Sequence, residues 1–255
     1  MEIIASRQNT VIRRFRRLAS ENEERIRSGC YLCDGAKMLE EALRSGVPVR
    51  TVLWKEKRDE RFGRFAGFPE EYCVKTELYD YVSPLRNSPG PLFTVEMPAE
   101  QTGPVSSAVI LEGIQDPGNV GTILRTADAF GIDAVVLLEG CADLYAPKSV
   151  RASMGAVFRQ RIHRLNSEDL PGFCVKNNIP LYGAALRDDA MDLRAYPLSR
   201  AAVAVGSEGR GLSQELIALC DALLIIPMNG EAESLNAAMA AGIIMWEMTR
   251  NRSSR

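Results

Sequence analysis

The sequence predicts an α/β protein, with a C-terminal domain built on a parallel β-sheet and a smaller N-terminal domain of mixed helices and strands. Three observations favour this class. Short apolar strands alternate with helical segments along the second half of the chain. Those strands are apolar almost throughout, which is typical of strands covered on both faces. A polar stretch at 97–107, MPAEQTGPVSS, separates the two halves, so we expect domains at 1–100 and 105–255.

The composition is that of an ordinary globular protein. The chain has 255 residues, of which 46% are hydrophobic and 25% are charged, with a net charge of −2. No apolar run reaches the roughly 18 residues of a membrane span, and the N-terminus lacks the apolar core of a secretion signal. We therefore expect a cytoplasmic protein without a membrane partner.

Cysteine and histidine usage argues against a metal site. Six cysteines without an export signal are expected to be reduced thiols. Cys30 and Cys33 form a single CxxC, and His163 is the one histidine of the sequence. Because structural zinc needs four such ligands, the sequence predicts no metal.

The first hundred residues predict short helices and strands in turn. Apolar residues at helical spacing predict helices over Asn9–Ala19 and Lys37–Ser45, the second ending at a glycine. Thr51–Trp54 and Leu92–Val95 are predicted strands. The stretch at 83–91, SPLRNSPGP, contains three prolines and is predicted to be a loop.

Four arginines crowd the first predicted helix, at Arg13, Arg14, Arg16 and Arg17. Arginine binds phosphate through two parallel hydrogen bonds, so the cluster is a candidate RNA-binding surface. The alternative is a solvated helix face balanced by the glutamates that follow at 21–24. The slightly acidic total permits a local basic patch but argues against nonspecific coating of nucleic acid.

The second half of the chain predicts five strands and five helices. In a parallel sheet, ligands bind at the loops beyond the carboxyl ends of the strands, so the loops after residues 111, 138, 205 and 226 are the candidate site. The predicted strands are Ala108–Leu111, Ala134–Leu138, Pro180–Ala184, Ala201–Val205 and Ala222–Ile226. The predicted helices are Thr122–Phe130, Lys148–Phe158, Ser167–Asn177, Ser213–Cys220 and Ser234–Arg250.

Three of these loops carry the polar residues of interest. QDPGNVGT at 115–122 places Asn119 and Arg125 on either side of a helix start, although a plain turn with a solvent-facing arginine has the same pattern. VGSEGRGLS at 205–213 is rich in glycine, which lets backbone approach a ligand closely. Its spacing matches neither GxGxxG nor GxxxxGK[ST], so it predicts no dinucleotide or P-loop site.

The third loop, at 226–238, leads into the last helix. Ser234 is the predicted N-cap of that helix, with Asn236 in its first turn. The helix interior, AAMAAGIIMW, has no polar face, so we expect it to be buried or packed against a partner chain.

In this order the three loops resemble the three motifs of the SpoU (TrmH-type) RNA ribose 2′-O-methyltransferases of the SPOUT superfamily. DPGNVGTILRTADAFG is similar to the first motif, AVGSEGRGLS to the second and IPMNGEAESLNAAMAAGI to the third; LYAPKSVRASMGAVF at 144–158 is also similar to the family pattern. The N-terminal segment GCYLCDGAKMLEEALRSG resembles the L30e-like substrate-binding domain of this family. NSPGP at 87–91 departs from the Thr-Pro-Gln-Gly-like turn that members often carry.

The resemblance implies a C-terminal SPOUT domain with a trefoil knot, S-adenosylmethionine as cofactor, RNA as substrate, with rRNA preferred over tRNA, and a homodimer. The implied reaction needs no metal, because the methyl group of S-adenosylmethionine is already activated. The implied catalytic residues are Arg125, Asn119, Glu208, Ser234 and Asn236. The implied cofactor-binding residues are Gly206, Ile226 and Leu235, with Ala184 and Met228.

Several roles stay open at this stage. In the family, an arginine at the position of Arg125 is proposed to help deprotonate the hydroxyl, but a guanidinium with a pKa above about 12 is a poor base. Our hypothesis is that Arg125 binds the RNA phosphate next to the modified ribose. This arginine could belong to the same subunit as the bound cofactor or to its partner. Glu208 either holds its loop through backbone N–H groups or contacts Arg125 or RNA. The alternative functions are a catalytically silent RNA-binding or ribosome-assembly protein on this fold, and an unrelated α/β dinucleotide enzyme.

Overall fold

The computed structural model describes residues 2–63, 67–99, 101–228 and 234–250. The helices are α1 Thr10–Ser20, α2 Asn22–Ser28, α3 Ala36–Arg44, α4 Thr76–Val82, α5 Pro117–Phe130, α6 Pro147–Ala152, α7 Leu170–Asn177, α8 Gln214–Leu219 and α9 Ala237–Thr249. The strands are β1 Glu2–Ile4, β2 Cys30–Asp34, β3 Val49–Lys55, β4 Glu70–Val74, β5 Leu92–Glu96, β6 Ser107–Leu111, β7 Ala134–Leu137, β8 Ile162–Arg164, β9 Leu181–Ala184, β10 Met191–Asp192, β11 Ala201–Val205 and β12 Ala222–Ile225.

The chain forms two compact units. The first unit comprises Met1–Ala99 together with Asp143–Phe158, and the second comprises Glu100–Ala142 with Arg159–Arg255. The predicted ranges, 1–100 and 105–255, assign 143–158 to the C-terminal domain, and the structure differs there. Contacts within the first unit explain the difference. Arg25 is buried and forms an ion pair of 2.7 Å with Asp143, and the ring of Tyr31 lies 4.7 Å from that of Tyr145.

The first unit is built on a five-stranded mixed sheet in the order β1-β4-β3-β5-β2. Helix α1 begins where the Asn9 side chain accepts a hydrogen bond from the backbone N–H of Val11, and it buries Ile12, Phe15 and Leu18 in the core. The amphipathic spacing therefore predicted α1 within one residue at each end. The residue pattern predicted none of β1, β4, α2 and α4.

The second unit is built on a seven-stranded sheet in the order β10-β12-β9-β11-β6-β7-β8, and all of its pairings are parallel. The central strand β11, Ala201–Val205, is buried at every residue because its small apolar side chains are covered on both faces. The prediction of a parallel-sheet α/β fold is confirmed. Among the described residues, no helix combines the length and apolarity that a bilayer crossing requires.

Four helices differ from their predicted bounds by three residues or more. Helix α7 begins at Leu170, after a single 3-10 turn at Ser167–Asp169, instead of at Ser167. Helix α5 begins at Pro117, so Asn119 lies inside its first turn. The helix predicted over Lys148–Phe158 is interrupted, because Met154 and Gly155 adopt positive φ values of 50° and 91° after α6 has ended. Helix α9 begins at Ala237 rather than Ser234, since the Asn236 side chain accepts from the N–H groups of residues 238 and 239.

Candidate functional site

A cavity of about 370 Å³ lies in the second unit, at the carboxyl ends of β9, β11 and β12. This is the edge of a parallel sheet at which ligands are expected. Its wall is formed by the segments 184–187, 205–212 and 224–226, and by the residues that lead into α9. The five predicted cofactor-binding residues all line it: Ala184, Gly206, Ile226, Met228 and Leu235.

The loop at 206–212 is folded tightly on itself. The N–H of Gly211 donates to the carbonyl of Ser207 at 2.9 Å, and Gly211 has a φ of 66°. A Cβ placed on Gly206 would lie 2.1 Å from the carbonyl carbon and oxygen of Gly211. Position 206 therefore excludes every side chain, and this close approach shapes the wall of the cavity.

A carboxylate from β6 anchors the far end of this loop. Glu112 follows β6 directly and accepts two hydrogen bonds of 2.7 Å, one from the N–H and one from the hydroxyl of Ser213. The same hydroxyl accepts from the N–H of Leu216 at 3.1 Å, so Ser213 also caps α8. Glu112 is a functional residue that the sequence motifs did not predict. Its one local signal is an acidic residue at the end of an apolar strand.

Three of the predicted catalytic residues form a hydrogen-bonded cluster beside the cavity. The side-chain amide of Asn119 donates to Oε1 of Glu208. The amide of Asn236 donates to Oδ1 of Asn119 at 3.3 Å and to Oε1 of Glu208 at 3.4 Å. One residue comes from each of the three loops. The cluster offers a carboxylate and two amides to a bound polar group.

The remaining two predicted catalytic residues lie nearby but outside this cluster. Arg125 is exposed on α5, and among the described residues its guanidinium makes no hydrogen bond or ion pair. Ser234 is exposed, precedes α9 and lines the cavity. Two kinds of contact were considered for Glu208. Among the described residues its carboxylate accepts hydrogen bonds from the side-chain amides of Asn119 and Asn236, and it makes no hydrogen bond or ion pair with Arg125. The catalytic roles themselves stay predictions.

The arginine cluster of α1 is partly occupied within the first unit. Arg16 donates to the carbonyl of Tyr81 at 2.8 Å and stacks over its ring at 4.6 Å. Arg17 pairs with Glu21 at 3.0 Å and with the buried Glu24 at 2.7 Å. Arg14 lies 3.8 Å from the sulfur of Cys30, and Arg13 is exposed. An RNA-binding role for these arginines stays a prediction.

The described ranges contain no group of three or more histidine, cysteine, aspartate or glutamate side chains that could hold a metal ion.

Comparison with known proteins places the chain among RNA methyltransferases. A sequence model of the SpoU rRNA Methylase family matches residues 106–246. A 23S rRNA (guanosine(2553)-2′-O)-methyltransferase, RlmP of Bacillus subtilis, is 31% identical over 249 residues, which covers 97% of this chain and 99% of that protein.

Two solved structures are similar over nearly the whole chain. The SpoU methyltransferase AviRb from Streptomyces viridochromogenes, in complex with the cofactor AdoMet, is 30% identical with a TM-score of 0.83, over 96% of this chain and 99% of that one. An AdoMet-bound rRNA methyltransferase from Sinorhizobium meliloti is 28% identical with a TM-score of 0.86, over 99% of each chain.

Proposed function

The chain belongs to the SpoU rRNA methylase family, and from that premise we propose that it transfers a methyl group from S-adenosylmethionine to a ribose 2′-hydroxyl of rRNA. One observation carries the proposal: the three loops that resemble the family motifs bring Asn119, Glu208 and Asn236 into hydrogen-bonding contact beside a cavity. A silent RNA-binding protein would have no need for this convergence.

The cavity fits the proposed cofactor. Its volume of about 370 Å³ lies within the range of small-molecule sites. Gly206 carries no Cβ that would collide with the backbone of Gly211, so the loop can close, and residues 206–212 line the cavity. Ile226 and Leu235 supply apolar wall for the flat base. When bound, S-adenosylmethionine supplies a methyl group activated by the positive sulfur.

The protein's part in the reaction is to position the ribose. The 2′-oxygen forms its bond to the methyl carbon while the carbon–sulfur bond breaks, and the hydroxyl proton is lost to solvent. Glu208 holds the amides of Asn119 and Asn236 in fixed orientation, and the second N–H of the Asn119 amide orients the hydroxyl. Arg125 binds the neighbouring phosphate.

The decisive experiment is transfer of tritium from labelled S-adenosylmethionine to unmodified rRNA, followed by mapping of 2′-O-methyl groups. We expect label on ribose with the wild type and its loss in Arg125→Ala, with only weak recovery in Arg125→Lys, which cannot form a bidentate phosphate contact. Cofactor binding without transfer in any RNA would refute the enzyme. Full turnover in Arg125→Lys would refute the phosphate-binding role.

We also propose that the protein acts as a homodimer through α9 and α5. Met239 and Trp246 are each 59% exposed on α9, and the Trp246 ring lies 5.7 Å from that of Phe130 on α5. A second copy would cover this apolar face. Sedimentation should show that Trp246→Glu is monomeric while the matched control Val175→Glu, at an exposed residue of α7, stays dimeric. A dimeric Trp246→Glu protein would contradict this interface.

The trefoil knot and the location complete the proposal. We propose that the second unit contains the trefoil knot that the family resemblance implies, and the proposal is supported by segments 205–212 and 224–226, which line one cavity. An enzyme that modifies rRNA works where ribosomes are assembled, so we propose that it is cytoplasmic.

A further inference from the structure

We propose that Arg210 binds the carboxylate at the methionine end of the cofactor. The inference deepens the proposed function, since it rests on S-adenosylmethionine being the ligand of the cavity. Arg210 lies in the turn at 207–211 and lines the cavity, yet the proposed mechanism gives it no role. A guanidinium in the wall of a small-molecule site can bind an anionic group through two parallel hydrogen bonds.

Arg210 is the cation of the cavity wall that has no carboxylate partner among the described residues. Three residues with ionisable side chains line the cavity, at positions 187, 208 and 210. Arg187 is engaged, because its Nε donates to Asp189 Oδ1 at 2.8 Å and a terminal nitrogen donates to Oδ2 at 3.1 Å. Glu208 accepts from the two side-chain amides of the hydrogen-bonded cluster. Arg210 is exposed, and within the described ranges its guanidinium makes no hydrogen bond or ion pair.

The proposed cofactor has one group that matches this cation. Its adenine is flat and uncharged, its sulfur and its amino group are positive, and its carboxylate is its one negative group. The apolar side chains of Ile226 and Leu235 suit the adenine. A guanidinium repels the sulfonium and the ammonium, so the carboxylate is the group that Arg210 attracts.

Covalent distances bring the two groups to the same part of the cavity. In the proposed reaction the sulfur lies beside the cluster that contains Glu208, because the ribose hydroxyl is positioned there. The carboxylate is joined to the sulfur through three carbon atoms, so it lies within about 6 Å of the sulfur. Arg210 follows Glu208 by two residues, so their Cα atoms are at most about 7 Å apart. A long arginine side chain spans the remaining distance.

The alternative anion for Arg210 is an RNA phosphate. The structure favours the cofactor, because Arg210 lines the cavity itself, whereas Arg125, the proposed phosphate ligand, does not. The turn that carries Arg210 is also closed by the hydrogen bond of 2.9 Å from the N–H of Gly211 to the carbonyl of Ser207. Arg210 is therefore held at the wall of the cavity by the same loop that shapes it.

The test compares two ligands in calorimetric titrations of the full chain. One is S-adenosylmethionine, and the other is its decarboxylated form, which keeps the sulfonium and the amine. The wild type should bind the decarboxylated form about tenfold more weakly, because one charge-assisted contact is lost. Arg210→Gln should bind both ligands with equal Kd, since no guanidinium remains to distinguish them. Arg210→Lys keeps the charge without the two-point contact, so its ratio of Kd values should lie between these two results.

Arg200→Gln is the matched control. Arg200 is also exposed, but it precedes β11 at the amino end of that strand, opposite the cavity. We expect the wild-type ratio of Kd values from it. A variant that only loosens the loop would weaken both ligands alike and keep the ratio, so the ratio separates a binding role from a structural one.

Three results would overturn the inference. A wild-type ratio in Arg210→Gln would show that another group binds the carboxylate, and a ratio near one in Arg187→Gln would assign it to that residue. A wild type that binds both ligands equally would show that the carboxylate is not recognised. If Arg210→Gln keeps the ratio but weakens binding of an rRNA transcript, the partner of Arg210 is an RNA phosphate. Each of these results leaves the proposed function standing, whereas a wild type that binds no S-adenosylmethionine refutes the proposed function itself.

Discussion

Addition of a single methyl group at position 206, in the variant Gly206→Ala, should weaken cofactor binding. In Gly206→Ala the new Cβ would lie 2.1 Å from the carbonyl carbon and oxygen of Gly211, and 2.5 Å from the backbone nitrogen of Leu212. These contacts are to backbone, so no flexible side chain can move aside. Ordinary contact begins near 3.4 Å, and the loop would therefore have to open by about 1.3 Å.

The cost follows from the packing. Overpacking of this kind costs about 1–3 kcal/mol. If the bound conformation needs the closed loop, that free energy appears as an increase of about 5- to 150-fold in the Kd for S-adenosylmethionine. Isothermal titration calorimetry of the purified protein measures it directly, and thermal unfolding checks that the fold survives.

Gly209→Ala is the control within the same loop. A Cβ on Gly209 meets no atom within 4 Å, and its φ is not in the left-handed region. We expect its Kd to equal that of the wild type. Equal Kd values for Gly206→Ala and the wild type would show that this loop does not form the cofactor pocket.

Three further predictions concern the same unit. Glu208→Gln keeps the shape of the cluster with Asn119 and Asn236 but removes the negative charge that strengthens the hydrogen bonds from their amides. Turnover in the tritium assay should therefore fall about tenfold, and unchanged turnover would contradict the positioning role of Glu208. Ser213→Ala removes both the helix cap and a partner of Glu112, so chemical denaturation should show a loss of about 1 kcal/mol that Ser213→Thr largely restores, and a fully stable alanine variant would argue against the anchor. Burial raises the pKa of the Cys220 thiol to about 12 and that of the Cys174 thiol to about 11, so both thiols stay protonated at pH 8. Mass spectrometry should therefore show that iodoacetamide alkylates both cysteines far more slowly in the folded than in the unfolded protein. The alkylation rates in the folded protein should rise with pH.

The central strands of the second sheet could be predicted because each is marked by a run of apolar residues in its own local sequence. The buried strands contain the continuous apolar runs 108–111, 134–137 and 201–205, and such runs are typical of strands that are covered on both faces. The first sheet was harder. Its edge strand β1 is largely exposed, and β4 carries two glutamates, so neither shows an apolar run.

The candidate site also has a part that the sequence predicts and a part that it does not. Asn119, Glu208 and Asn236 could be chosen from the sequence because each lies in a loop with a recognisable pattern. Their mutual hydrogen bonds, and the carboxylate of Glu112, could not be chosen, because these contacts join residues far apart in the chain. Glu112 and Ser213 are 101 positions apart, and nothing in either local sequence indicates the other.

The segment 143–158 shows why a boundary in the sequence pattern need not be a boundary in the fold. Its sequence belongs with the methyltransferase motifs, yet Asp143 neutralises Arg25, which is 4% exposed and 118 positions away. A first unit cut at residue 100 would keep that buried guanidinium without its carboxylate, at a cost of about 3–5 kcal/mol. It would also lose Tyr145, whose ring packs on Tyr31. Since a domain is stable by only about 5–15 kcal/mol, the first unit needs this segment to be a complete domain.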